Sequence, residues 1–167
     1  GGVGLAAVQL AVHTGASVVA SVRRPEQRDQ VAAYGATVVA PEEAGGAGPY
    51  DVVLELVGAP NLSTDLGAVA TGGRVVVIGT SAGSKAEIDL RQLMVRRAML
   101  RASTLRARPL EEKATLARSL EAHVLPLLAD GRIKVPVAAS FPLAKASEAY
   151  DRFVAGKLGK VVIEIAS

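Results

Sequence analysis

Apolar and polar positions along the chain alternate between two periods, and most stretches end on glycine or proline. Residues 3–14 place Leu5, Val8 and Val12 on one stripe, with Ala6, Ala7 and Ala11 beside it. That spacing predicts a helix whose small residues allow close packing on a sheet, with Gly15 as its stop. The β-branched run at 17–22 predicts a strand. Pro25 then opens a helix through Ala33, Gly35 ends it, and Thr37–Val39 forms a brief strand. "DVVLEL" (51–56) and "RVVVIG" (74–79) are nearly continuous apolar runs, as expected of strands covered on both faces. Residues 60–70 predict a helix between them, and Gly72-Gly73 a turn. A helix around 89–96 and a strand around 98–103 follow.

This βαβα alternation with short connections predicts an α/β fold, a doubly wound parallel sheet of the Rossmann class. The next stretch differs. Pro109 sits at a helix start with Glu111 and Glu112 in its first turn, where the helix dipole favours acids. Leu110, Ala114, Ala117, Leu120, Val124, Leu127 and Leu128 mark an apolar face, and Pro126 should kink or break that helix. Strands at about 135–140 and 160–165 flank a last helix at 142–155.

Composition narrows the chemistry. Half of the 167 residues are hydrophobic but only 3% are aromatic, so the core is built from Val, Leu, Ile and Ala. The net charge is +3, and Arg23-Arg24 and Arg96-Arg97 lack interleaved aromatics, which argues against nucleic-acid binding. No apolar run reaches membrane-spanning length. With no cysteine and with His13 and His123 far apart, the residues offer no thiolate catalysis and no metal site.

Ligands of such a sheet bind beyond the carboxyl ends of the strands. Those ends are Ser21–Arg24, Val57–Ala59, Gly79–Gly83 and Ser103–Leu105. Glu55 lies near one of them, and two readings stay open: a functional carboxylate, or one satisfied by nearby backbone. The opening "GGVGLAAVQLA" carries Gly1-x-x-Gly4, which corresponds to the last two glycines of a dinucleotide fingerprint running into a helix. The N–H groups of Gly2 and Val3 would face a diphosphate, and Gly4 would allow close helix–strand packing. At the end of the second strand, NAD-binding folds place an acid for the ribose; this chain has Ser21-Val22-Arg23-Arg24. Two guanidiniums suit a 2′-phosphate, so the cofactor predicted is NADPH.

"GGVGLAAVQLA", "GPYDVVLELVG", "TGGRVVVIG", "STLRARPLEEKATL" and the tail "FPLAKASEAYDRF…GKLGKVVIEI" together resemble the NADPH:quinone oxidoreductases of the zinc-free medium-chain dehydrogenase/reductase superfamily, in the branch of the p53-inducible quinone oxidoreductase. The resemblance implies a metal-independent hydride transfer from NADPH to a quinone or conjugated carbonyl acceptor, in a cytoplasmic homodimer. It implies no catalytic acid or base in this segment. It places Val57, Gly58, Gly79 and Thr80 along the nicotinamide side, with Ser103, Thr104, Leu105 and Lys160 as further candidates for that same neighbourhood. It also implies that residues 1–136 are the nucleotide-binding domain and that 137–167 return to a separate catalytic domain. Two departures bear on the 2′-phosphate: Gln27 stands where the family often has lysine, and no tyrosine occupies the region of Ala40–Glu42.

Strand order in this fold puts a first strand between 17–22 and 51–56, and no residues before Gly1 supply it. A mid-sheet strand makes roughly ten ladder hydrogen bonds at about 1 kcal/mol net each, which rivals a domain's whole stability. The expectation is therefore that 1–167 is part of a longer polypeptide, or a fragment unable to stand alone. Rival readings are an enoyl reductase within the class, a non-catalytic NADP-binding module, and a remnant without cofactor affinity.

Overall fold

The computed structural model describes residues 1–165. They divide into two compact units, one of residues 1–38 and 118–165 and one of residues 39–117.

In the first unit, helix α1 (Gly2–His13) buries Leu5, Val8 and Gln9, close to the predicted stripe. Strand β1 (Val19–Ser21) pairs with β2 (Thr37–Val39), which ends at the unit boundary. A 3-10 turn at Pro25–Gln27 leads into the short helix α2 (Arg28–Ala32). After Ala32 the chain turns through Gly35, whose φ of 91° suits glycine; a Cβ there would press on Val12 Cγ1 at 3.0 Å. Glycine thus serves both as the stop and as the contact with α1.

The second unit is organised by strands β3 (Tyr50–Glu55), β4 (Val69–Val77) and β5 (Met99–Ala102), all parallel, in the order β3-β4-β5. Helix α3 (Ala59–Ala68) crosses from β3 to β4, and α4 (Leu90–Arg96) from β4 to β5. Strand β4 starts at Val69, earlier than its sequence suggests. Val69 is fully buried and pairs with Tyr50, and the register then slips before Val52 meets Arg74. Gly72, at φ 79°, lies within that slip, so the predicted turn is absorbed into the strand as an irregularity. The core consists of Leu66, Val69 and Val75, with Val53, Leu62, Val77, Ile88, Leu93 and Ala98 packed around it.

The expected two-sided covering is corrected for β3, whereas in β4 Val75 is buried and Val76 and Val77 are half-buried. Val53 and Glu55 face inward, but Val52 and Leu54 stay 46% and 39% exposed, and Met99 57%. In a pleated strand alternate side chains lie on opposite faces, so an apolar run does not by itself state how many faces are covered.

Helix α5 (Leu110–His123) runs from the second unit into the first and ends before α6 (Leu125–Ala129). Pro126 lies in the first turn of α6, so the predicted break falls where proline places it. Strands β6 (Val137–Pro142) and β7 (Lys160–Glu164) pair in parallel, joined by a 3-10 turn and helix α7 (Ala146–Val154). The expected strand between β1 and β3 has no counterpart among the described residues.

Candidate functional site

In the first unit the candidate residues gather at the start of α1. Leu5 N–H donates to Gly1 O at 3.0 Å, which leaves the N–H groups of Gly2, Val3 and Gly4 ahead of the first helical bond. No side chain caps this end, and no acid stands in its first turn. Lys160, the first residue of β7, stands over it: a Cβ on Gly2 would come within 2.8 Å of Lys160 Nζ. The missing side chain at Gly2 lets that ammonium lie close above the first turn without moving aside. Free N–H groups, the helix dipole and an ammonium form a donor set that fits a diphosphate.

Ser21 and Arg23 are exposed at the end of β1. Arg24 behaves differently: its guanidinium donates to Ala155 O at 3.1 Å and lies directly against Gly156, just beyond α7. A cavity of about 710 Å³ opens there, lined among others by Arg24, Gln27, Tyr34, Arg152 and Lys157. Arg152 donates to Gly156 O and Lys157 to Gly159 O, both at 2.8 Å, and Lys157 also lies 4.9 Å from the Phe153 ring centroid. Of the two arginines at this strand end, Arg23 is therefore the one pointing into solvent.

In the second unit the ends of β3 and β4 are knitted together through main chain. Ala82 N–H donates to Val57 O at 3.0 Å and Ala59 N–H to Gly83 O at 2.9 Å. Gly58 holds φ 108°, and a Cβ there would strike Gly83 O and lie 2.8 Å from Thr80 Cα; one on Gly79 would strike Leu56 O. Val57, Gly58, Gly79 and Thr80 are thus brought into one seam, closed by backbone rather than side chains. Ser103 joins from β5, its N–H donating to Val77 O at 3.1 Å. Arg108 braces this last loop, donating to Ser103 Oγ at 2.7 Å and Thr104 O at 3.1 Å while pairing with Glu112 at 3.2 Å. Leu105 remains 61% exposed. Nothing in the residues around Arg108 marks this bracing role, because its partners are reached only once the 103–108 loop has folded back on itself.

Of the two readings of Glu55, the backbone contacts are now visible. The carboxylate is 4% exposed and accepts from Val57 N–H, from Gly58 N–H at 2.6 Å and from Asn61 Nδ2 at 3.1 Å. It lies directly beneath the Val57–Gly58 turn. These donors hold its pKa below the ordinary value, against the opposing effect of burial.

A second cavity, of about 480 Å³, lies away from the strand ends, between Thr71 and the start of α4 around Asp89, Arg91 and Gln92. Among the described residues no group of three or more His, Cys, Asp or Glu is placed to hold a metal ion, and no helix is long and apolar enough to cross a membrane.

Parallel strands, crossover helices and a glycine-opened first helix are those of a Rossmann-type α/β protein. The chain belongs to the zinc-binding dehydrogenase family, which it matches over residues 2–122. It is 30% identical to a quinone oxidoreductase of Rattus norvegicus over 98% of its own length and 51% of that protein. A thermostable alcohol dehydrogenase of Pyrobaculum aerophilum superposes with a TM-score of 0.78 at 32% identity, covering 96% of this chain and 46% of that one. The NAD-bound structure of Bacillus subtilis protein yhfP shares the fold, with a TM-score of 0.82 at 22% identity over 98% of this chain and 51% of that one. The chain spans about half the length of the curated relatives it matches.

Proposed function

We propose that this chain supplies the nucleotide-binding part of an NADPH-dependent oxidoreductase that reduces quinones or similarly conjugated carbonyl compounds. The observation that carries the reading is Lys160 standing over Gly2 at an α1 start that has neither a side-chain cap nor an acid. In this reading the N–H groups of Gly2, Val3 and Gly4 and the Lys160 ammonium hold the diphosphate. Arg23 and Ser21 face the 2′-phosphate, and Arg24 fixes the loop after α7 beside them. Val57, Gly58, Gly79 and Thr80 form a main-chain wall for the nicotinamide, with Ser103, Thr104 and Leu105 flanking it. When bound, the dinucleotide supplies the hydride. The residues of this chain bind, orient and exclude water, and none acts as acid or base on the acceptor.

The likeness to quinone oxidoreductases over nearly the whole chain supports the acceptor class. Residues 1–136 then serve as the nucleotide domain and 137–167 as the segment returning to a catalytic domain, in a cytoplasmic homodimer. The test is fluorescence titration of the full-length protein with NADPH and NADH, followed by turnover with a panel of quinones and enoyl thioesters. The expected result is tighter NADPH binding and quinone turnover. Preference for enoyl thioesters would move the assignment to the enoyl reductases, and binding without turnover would leave a nucleotide-binding module.

A further inference from the structure

The Glu55 carboxylate does not stand alone beneath the Val57–Gly58 turn. Its acid neighbour is Asp65, four residues beyond Asn61 and so on the same face of α3 as the amide that donates to Glu55. As two carboxylates the pair has no donor between them, and Asp65 Oδ2 is then a buried oxygen without a partner. Leaving such an oxygen unsatisfied is costly. One proton removes the problem: a carboxylic acid on Asp65 can donate to Glu55, which already accepts from two N–H groups and one amide. Glu55 has the donors that stabilise an anion, so the proton belongs on Asp65.

We infer that Asp65 is a proton-bearing acid that donates to Glu55, and that Glu55, held in this way, is the positioning residue that fixes the Val57–Gly58 turn against the 79–83 loop. That this turn walls the nicotinamide rests on the function proposed above. The sharing of the proton does not.

The surroundings support the assignment. The turn offers Glu55 main-chain N–H groups, and α3 offers Asn61 and Asp65. From β4, the neighbouring Val75 and Val77 are apolar. The 79–83 loop is Gly-Thr-Ser-Ala-Gly and carries no ionisable side chain. The cation of α4, Arg96, donates instead to Val69 O at 2.8 Å and Gly67 O at 2.6 Å, at the other end of α3. With the second carboxylate uncompensated, burial first and Glu55 second push the Asp65 acid up to about 7. When that proton leaves to solvent, the two carboxylates repel. Glu55 then loses its fixed placement on the amides of Val57 and Gly58.

The experiment is a pH titration of the full-length protein, with ¹³C-carboxyl shifts for Asp65 and ¹⁵N–¹H shifts for Gly58. It is run on wild type and on Asp65→Asn, whose amide keeps the donor and cannot ionise. NADPH affinity is measured across the same range. The expected result is one shared step near pH 7 in the Asp65 carboxyl, the Gly58 amide and the NADPH dissociation constant, with the last two steps lost in Asp65→Asn. An Asp65 carboxyl that titrates in the ordinary carboxylate range, or a Gly58 amide indifferent to it, would overturn the inference. Should NADPH not bind while the shared Asp65–Gly58 step appears and vanishes in the variant, the nucleotide reading fails and the proton-sharing pair stands.

Discussion

Gln9 and Lys134 complete one another across 125 residues of sequence: Gln9 Nε2 donates to Lys134 O at 2.9 Å, and Lys134 N–H donates to Gln9 Oε1 at 2.8 Å. The amide copies the pairing of a neighbouring strand and is buried, 6% exposed, in the face that α1 turns inward. Replacing Gln9 with leucine would strand both main-chain groups of Lys134. The expected cost is about 1–3 kcal/mol, read from urea denaturation midpoints, whereas Gln9→Glu keeps the acceptor and sets a carboxylate against a carbonyl. A Gln9→Leu protein as stable as wild type would show that water replaces the side chain without loss.

In the proposed nucleotide site, Lys160 and Arg23 address two different parts of the cofactor. Lys160→Ala removes the ammonium above the first turn of α1 and should weaken NADPH and NADH alike, by roughly tenfold for a lost charge-assisted contact. Arg23→Ala should weaken NADPH alone. Fluorescence titration of both variants with both nucleotides checks the assignment, and equal effects of Arg23→Ala on the two would remove the 2′-phosphate from this corner.

Two glycines with positive φ predict different costs for the same methyl group. Gly72 (φ 79°) has open space where a Cβ would go, so Gly72→Ala should cost only the backbone penalty, about 1–2 kcal/mol. At Gly58 the same penalty is joined by collision with Gly83 O and Thr80 Cα. Gly58→Ala should therefore exceed about 3 kcal/mol, combining backbone strain and overpacking. Thermal denaturation of the two variants side by side gives the comparison.

Stability should carry the signature of the Glu55–Asp65 pair. Asp65, ordinarily near 3.8, is raised to about 7, so the folded protein holds a proton that the unfolded chain releases. Its contribution is full below about 3.8 and is lost as pH rises from there to about 7. Glu55 is lowered from 4.5, so its contribution is present above that value and lost as pH falls through its folded pKa. Denaturation midpoints should decline between pH 5 and pH 7 in wild type and hold level in Asp65→Asn.

Much of this architecture is legible along the chain because it is written in local chemistry. Proline placed the break at 124–126, glycine placed the stop of α2, and nearly continuous apolar runs marked β3 and β4. What escaped notice are relations made through space. Nothing in the residues around Gln9 announces Lys134. The pairing of Asp65 with Glu55 depends on α3 folding back over the strand it follows. The exposure of Val52 and Leu54 likewise depends on what covers a face, and an apolar run does not record that.

The seam of Gly58, Gly79 and Gly83 has a practical consequence for anyone wishing to redirect such a protein. Because peptide groups meet there without intervening side chains, random mutagenesis at those positions has almost no vocabulary to draw on. New selectivity would have to be sought in the 103–108 loop, where an arginine brace holds exposed residues that can change one at a time.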